Sequence, residues 1–130
     1  MSSRPPVGDS GVVGVAELRA RIDRGWHVYS LTQPPGGARA TAIQVVSDPP
    51  FRMAGAIGRP APDTIPESTS SGVSEIYSDS VTFRLPIGLR SRPPRGTSPL
   101  VVAVTYQVCR ATLCLAPRTD SVGVNAGVVW

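Results

Sequence analysis

Apolar and polar residues alternate one by one along several short stretches of the chain, the period of a strand with one buried face. In the first stretch Ala16, Leu18, Ala20 and Ile22 fall on one side, and Glu17, Arg19, Arg21 and Asp23 on the other. Arg24-Gly25 reads as a turn, and residues 26–31 as the next strand, with Trp26 and Val28 inward and Trp26 in the core. Gln33-Pro34-Pro35-Gly36-Gly37 marks a loop. Residues 41–47 form a third strand that Asp48-Pro49-Pro50 ends. Val81, Phe83, Leu85 and Ile87 alternate with Thr82, Arg84 and Pro86 in another half-buried strand. Pro86, lacking an N–H, places that strand at an edge or an end. Residues 100–108 are the strongest strand, nearly all β-branched or aromatic, and residues 119–129 give one or two more. Residues 52–72 show little period and predict a long surface loop, a feature that is often functional. Short strands at this spacing predict an all-β fold, an antiparallel β-sandwich.

Composition sharpens this picture. The 130 residues suffice for one domain, with residues 1–11 as a flexible lead-in and residues 12–130 as the domain. Thirteen Gly and 14 Pro leave no room for a long helical period. The net charge is +4, and all 13 basic residues are Arg. They are scattered; only Arg90, Arg92 and Arg95 cluster, in a loop without aromatics, which argues against nucleic-acid binding. No stretch approaches the roughly 20 apolar residues of a membrane helix, so direct membrane insertion is not expected. The first residues lack the apolar segment of a secretory signal, which leaves a cytosolic protein or a trimmed piece of an exported one. A disulfide-type cysteine pair favours the second, hence a periplasmic or other extracytoplasmic location.

That pair is the main candidate chemistry. Cys109 and Cys114 are the chain's two cysteines, with four residues between them, just after the strongest strand. A structural zinc site needs four ligands, and two Cys with one His fall short. The thioredoxin-type Cys-x-x-Cys at a helix start does not fit the spacing, the strand before it or Pro117 after it. Two cysteines at the ends of a four-residue loop can face each other across a β-hairpin, where strand neighbours meet the Cα separation a disulfide needs. Two readings remain, a structural staple and a redox pair. Closing so short a loop removes little chain entropy, which makes a poor staple and favours redox exchange. Arg110 beside Cys109 would favour a thiolate, against its plainer reading as a solvated turn residue. His27 is the sole histidine, and no motif supports a hydrolase triad built on it. Tyr77 and Tyr106 read first as sheet packing with hydroxyls at the rim.

The segment Tyr106-Gln107-x-Cys109-x-x-x-x-Cys114-x-x-Pro117 resembles the redox motif of the amino-terminal periplasmic domain of the thiol:disulfide interchange protein DsbD. Gly25-Trp26-His27-Val28-Tyr29 with Gln33-Pro34-Pro35-Gly36-Gly37 is similar to that domain's early strand and turn. Ser74-Glu75-Ile76-Tyr77-Ser78-Asp79 with Val81-Thr82-Phe83 is similar to the segment after its active-site loop. The resemblance runs in order from about residue 14 to 125.

It implies an immunoglobulin-like antiparallel β-sandwich that relays electrons through a reversible Cys109–Cys114 disulfide, with no metal, flavin or nucleotide cofactor. Electrons would come from a cytosolic thioredoxin through a membrane-embedded domain and a carboxy-terminal thioredoxin-like domain. They would pass to thioredoxin-like partners: disulfide isomerases of the DsbC type, or the proteins of cytochrome c maturation. By position Cys114 would attack and Cys109 resolve. His27, Tyr29 and Tyr106 would support the site, His27 and Tyr29 projecting from one face. Glu67, Ser68, Thr69, Ser70, Ser71 and Gly72 would form a cover loop. Family members carry an acidic pair and an aromatic cap there; here Glu67 is the one carboxylate and no aromatic is present, which implies a looser cover. The competing reading is a non-catalytic immunoglobulin-like binding module with a structural disulfide.

Overall fold

A computed structural model describes residues 11–48, 50–66, 73–91, 98–111 and 113–126. Its strands are β1 (Val12–Arg21), β2 (Val28–Tyr29), β3 (Ala42–Val45), β4 (Phe51–Met53), β5 (Asp63–Pro66), β6 (Val73–Tyr77), β7 (Ser80–Leu89), β8 (Ser98–Tyr106), β9 (Cys109–Arg110), β10 (Leu113–Cys114) and β11 (Arg118–Ala126). All pairings among them are antiparallel, in sheets ordered β1-β7-β4, β11-β8-β3, β2-β6-β5 and the hairpin β10-β9. No helix occurs among the described residues.

The alternation places the core. Ala16 and Leu18 of β1, Phe51 of β4, Val81, Phe83, Leu85 and Ile87 of β7, and Leu100 and Val102 of β8 form one buried cluster between the sheets. Ile43, Val45, Val104, Tyr106 and Val122 close it from the β11-β8-β3 side. The polar partners of the pattern, Glu17, Arg19 and Arg84, are exposed. The expected β-sandwich is therefore the observed fold, assembled by burying one face of each long strand.

Four expectations change. Pro86 lies in the central strand β7 rather than at an edge. The sheet tolerates it because β4 pairs only as far as Met53↔Ile87, and Pro86 then contributes only its carbonyl, which accepts the Ala54 N–H at 2.8 Å. Residues 52–72 are not one loop: the end of β4 and all of β5 fall within them, and Gly58 exchanges two backbone bonds with Arg84. Trp26 is half-buried rather than core, and the strand expected over 26–31 shortens to β2. The turn before it is as expected: Trp26 N–H donates to Asp23 C=O, and Gly25 takes φ 87°, the left-handed position that glycine fills without strain.

Candidate functional site

Beyond Tyr106 the chain leaves the β8 ladder, and Cys109 pairs instead with His27. Cys109 N–H donates to His27 C=O at 3.0 Å, and His27 N–H returns a bond to Cys109 C=O at 2.9 Å. Those bonds use the Cys109 backbone on one side, so Cys114 faces it on the other as a non-hydrogen-bonded pair. In an antiparallel ladder this is the closer kind of pair, with Cα atoms about 4.5 Å apart. Here they are 4.1 Å apart, and a disulfide joins the two sulfurs.

The two cysteines differ sharply in environment. Cys109 is 1% exposed and packs with Tyr29 and Ile76, flanked by Ala38 and Ile65. Cys114 lies on the outer arm of the hairpin and is exposed, as are its neighbours Leu113 and Leu115. Side chains alternate between the faces of the hairpin. Cys109 and Cys114 occupy one face; Val108, Arg110, Leu113 and Leu115 occupy the other. On that second face the Arg110 guanidinium sits 4.8 Å above the Trp26 ring. Beneath lies a groove of about 490 Å³, lined among others by Leu18, Trp26, Tyr106, Val108 and Leu115.

The same alternation sorts the other candidates. Trp26 and Val28 turn toward the groove, whereas His27 and Tyr29 turn toward the disulfide side. His27 Nε2 and the Tyr29 hydroxyl are 3.0 Å apart, and the rings meet edge to face with centroids 5.2 Å apart. Tyr29, 6% exposed, is thus both a wall of the Cys109 pocket and the partner of His27. Tyr106 is three residues before Cys109 and falls on the groove side, away from the disulfide. Its hydroxyl donates to Asp120 Oδ2 at 2.6 Å. That bond raises the Tyr106 pKa and holds the Asp120 carboxyl below the usual carboxylate range. The cover-loop residues 67–72 lie outside the described residues.

A polar cluster that the sequence pattern did not reveal holds β2 and its following loop against β6. Ser30, fully buried, donates from Oγ to Glu75 Oε1 at 2.6 Å, and Thr32 Oγ1 donates to the same oxygen at 2.5 Å. Gln33 receives the Glu75 N–H at 2.7 Å on Oε1 and donates to Ser74 Oγ at 3.2 Å. Thr41 Oγ1 donates to the Tyr29 carbonyl at 2.6 Å. The cluster fixes the strand that presents His27 and Tyr29. Its one sequence signal is that Gln33, Ser74 and Glu75 belong to the first two segments of the resemblance in chain order.

The bonds from Ser30 and Thr32, with Arg59 nearby, hold the Glu75 pKa below its ordinary value of 4.5. A carboxylate with a lowered folded-state pKa contributes stability that is complete above its unfolded pKa and is lost as pH falls through the folded one. The domain is therefore expected to lose stability as pH drops below about 4.5, and Glu75→Gln to flatten that acid slope. Urea midpoints at pH 3, 4, 5 and 7 check this; parallel slopes for both proteins would count against Glu75 as the source.

The sequence profile described as thiol:disulfide interchange protein DsbD, N-terminal, matches residues 10–126. The chain belongs to the DsbD N-terminal domain family. Its fold is similar to that of the Neisseria meningitidis DsbD N-terminal domain solved in the reduced form. The TM-score is 0.58 at 18% identity, over 94% of this chain and 82% of that one. Comparison with individual curated proteins gives no sequence match. As a DsbD N-terminal domain, the chain has the immunoglobulin-like β fold of that family. Its membership and its disulfide-bonded cysteine pair fit thiol–disulfide exchange.

Proposed function

We propose that this DsbD N-terminal domain is an electron relay that reduces thioredoxin-like partner proteins outside the cytoplasm through Cys109 and Cys114. The observation that carries the reading is the asymmetry of the disulfide: one sulfur-bearing residue is buried at 1% exposure, and the other is exposed on a hairpin arm. A relay needs one accessible thiol to meet the partner and one withheld thiol to finish the exchange.

In the dithiol form the Cys114 thiolate attacks a partner disulfide. One partner sulfur bonds to Cys114, and the other leaves as a thiolate that takes up a proton. Cys109, deprotonated, then attacks the Cys114 sulfur, and the Cys109–Cys114 bond forms as the partner's second thiol departs. Two electrons and two protons have moved to the partner. Tyr29 packs against Cys109, and His27, bonded to Tyr29 through its ring and to Cys109 through its backbone, keeps Cys109 placed for the second step. The partners are disulfide isomerases or cytochrome c maturation proteins with thioredoxin-like folds. The electrons come from a membrane-embedded domain and a thioredoxin-like domain of the same system. The interface is small and transient, because a relay must release its partner quickly.

The equilibrium potential of the pair, measured against a glutathione or dithiothreitol series, tests the reading. A relay is expected between roughly −180 and −270 mV, the span from disulfide isomerase to thioredoxin. A value below about −300 mV, typical of a structural disulfide, would leave an immunoglobulin-like binding module as the better account.

A further inference from the structure

The register sets His27, Cys109 and Cys114 in one row across three adjoining strands. His27 and Cys109 exchange both backbone bonds, and Cys109 and Cys114 face each other as the neighbouring pair. Residues directly opposite in antiparallel strands project to the same face, with Cα atoms about 5.5 Å apart in the hydrogen-bonded kind of pair. The His27 side chain therefore stands on the face of the disulfide, beside Cys109 and on the side away from Cys114. Tyr29 occupies the same face two residues on. Its hydroxyl lies 3.0 Å from His27 Nε2, and its side chain packs against Cys109. The imidazole and the buried cysteine thus share Tyr29 as a neighbour.

The resolving step needs a proton acceptor at this place. Cys109 is 1% exposed among Tyr29, Ile76, Ala38 and Ile65, surroundings that solvate a thiolate poorly. Yet it must attack as the thiolate. Imidazole is the side chain whose ordinary pKa, about 6.5, suits it to take and return a proton near neutral pH. The other charged groups around the hairpin are engaged elsewhere. Arg110 lies on the groove face over Trp26, and Tyr106 and Asp120 bond each other on that face. Glu75 neighbours Ile76 along β6 and so projects from the opposite face, where Ser30 and Thr32 hold it and Arg59 bonds Thr32. On the disulfide face the described residues add Asp63, exposed and two strands from Tyr29 across Ile76, and exposed Arg39, next to Ala38.

We infer that His27 is the proton acceptor for Cys109 in the resolving step. The inference rests on the relay reading, whose second step it completes. The S–H bond of Cys109 breaks and its proton passes to the imidazole. The Cys109 sulfur bonds to the Cys114 sulfur, and the bond from Cys114 to the partner breaks with its electron pair on the departing partner sulfur. The imidazolium gives the proton to that thiolate, and His27 is neutral again. The Tyr29 hydroxyl holds the imidazole beside the Cys109 pocket throughout.

The test mixes the reduced protein with excess dithiobis(nitrobenzoate), an aromatic disulfide. Attack by Cys114 releases one coloured thionitrobenzoate ion, and resolution by Cys109 releases the second. Thionitrobenzoate departs without needing a proton, so the second phase reports deprotonation of Cys109. The ratio of second-phase to first-phase rate is compared between about pH 5 and pH 9 in the parent, His27→Gln and His27→Phe. Gln keeps a hydrogen-bonding group for the Tyr29 hydroxyl but takes no proton; Phe keeps a ring and has neither property. Both variants are expected to lower the ratio at neutral pH by roughly a hundredfold, a usual contribution of a positioned base. The parent ratio is expected to rise through the imidazole range and level off. In the variants it keeps rising into the thiol range, about 8.5 and above.

A loss in both variants with that change of pH profile supports the inference. A loss in Phe with Gln matching the parent would overturn it, because the imidazole would then serve only as the partner of Tyr29. Ratios within twofold of the parent in both variants, or phases that merge in the variants as in the parent, would overturn it too. If His27→Phe does not fold, Gln against the parent decides. The relay fails separately, through a parent potential below about −300 mV, and the comparison among variants is read at any parent value.

Discussion

Cys109→Ser is expected to accumulate a stable mixed disulfide with an oxidised thioredoxin-like protein, and Cys114→Ser to accumulate almost none. The first variant keeps the exposed thiol on the hairpin arm and lacks the buried one that would resolve the adduct. The second keeps only Cys109, enclosed by Tyr29 and Ile76. Neither variant can complete a two-electron reduction, so loss of net disulfide reduction is expected to be complete in both. Alkylation gives an independent reading. The Cys114 thiol of the first variant is expected to react at least roughly tenfold faster than the Cys109 thiol of the second, since reaction follows exposure of the thiolate. Non-reducing gels and mass spectrometry of the adducts check both. Equal trapping by the two variants, or trapping through Cys109 alone, would reverse the assignment of attacking and resolving residues.

Phe83→Ala is expected to give the largest loss of stability of any single truncation named here. Phe83 is 2% exposed at the centre of β7, and its ring meets Tyr77 edge to face, with centroids 5.9 Å apart. Removing such a side chain costs the transfer energy of the ring and leaves a cavity, about 3–5 kcal/mol together. Domains of this size have about 5–15 kcal/mol in all, so the variant is expected to be close to unfolding at ambient temperature. Its melting midpoint should fall by roughly 10 °C or more. Val15, on the same sheet but 53% exposed, is the control: Val15→Ala is expected to stay within about 0.5 kcal/mol of the parent. Urea denaturation of the oxidised proteins measures both. A Phe83→Ala loss below about 1 kcal/mol would mean that the two sheets close over the gap.

The strands that alternation disclosed are those with one face on the core and one in water. β1 and β7 carry buried residues at alternate positions, Ala16 and Leu18 in one and Val81, Phe83, Leu85 and Ile87 in the other, and β8 shows instead through its run of β-branched residues. β5 and β6 were hidden for different reasons. β5 is an edge strand with one half-buried side chain, Ile65, and a proline at its end. β6 buries Ser74 at 1% exposure, where an apolar residue would have continued the pattern. That serine is satisfied by Gln33, 41 residues earlier in the chain, which no local pattern contains. Pro86 misled for a related reason: a proline is excluded from a ladder only where a partner needs its N–H, and at Pro86 the partner strand has already ended.

The sequence by itself determined the all-β fold, the strand faces, the family and the pair of cysteines close enough to bond across a hairpin. Each depends on a period or spacing written within a few residues, or on motifs in order along the chain. The tertiary structure decided which cysteine is buried and which is offered to solvent. It also decided that Tyr106 serves the groove rather than the disulfide. These depend on how distant segments meet: His27 claims the backbone of Cys109, Tyr29 and Ile76 cover it, and the hairpin that continues from β8 inherits its alternation. A pairing between residues 82 positions apart, as between His27 and Cys109, leaves no periodic trace in either segment.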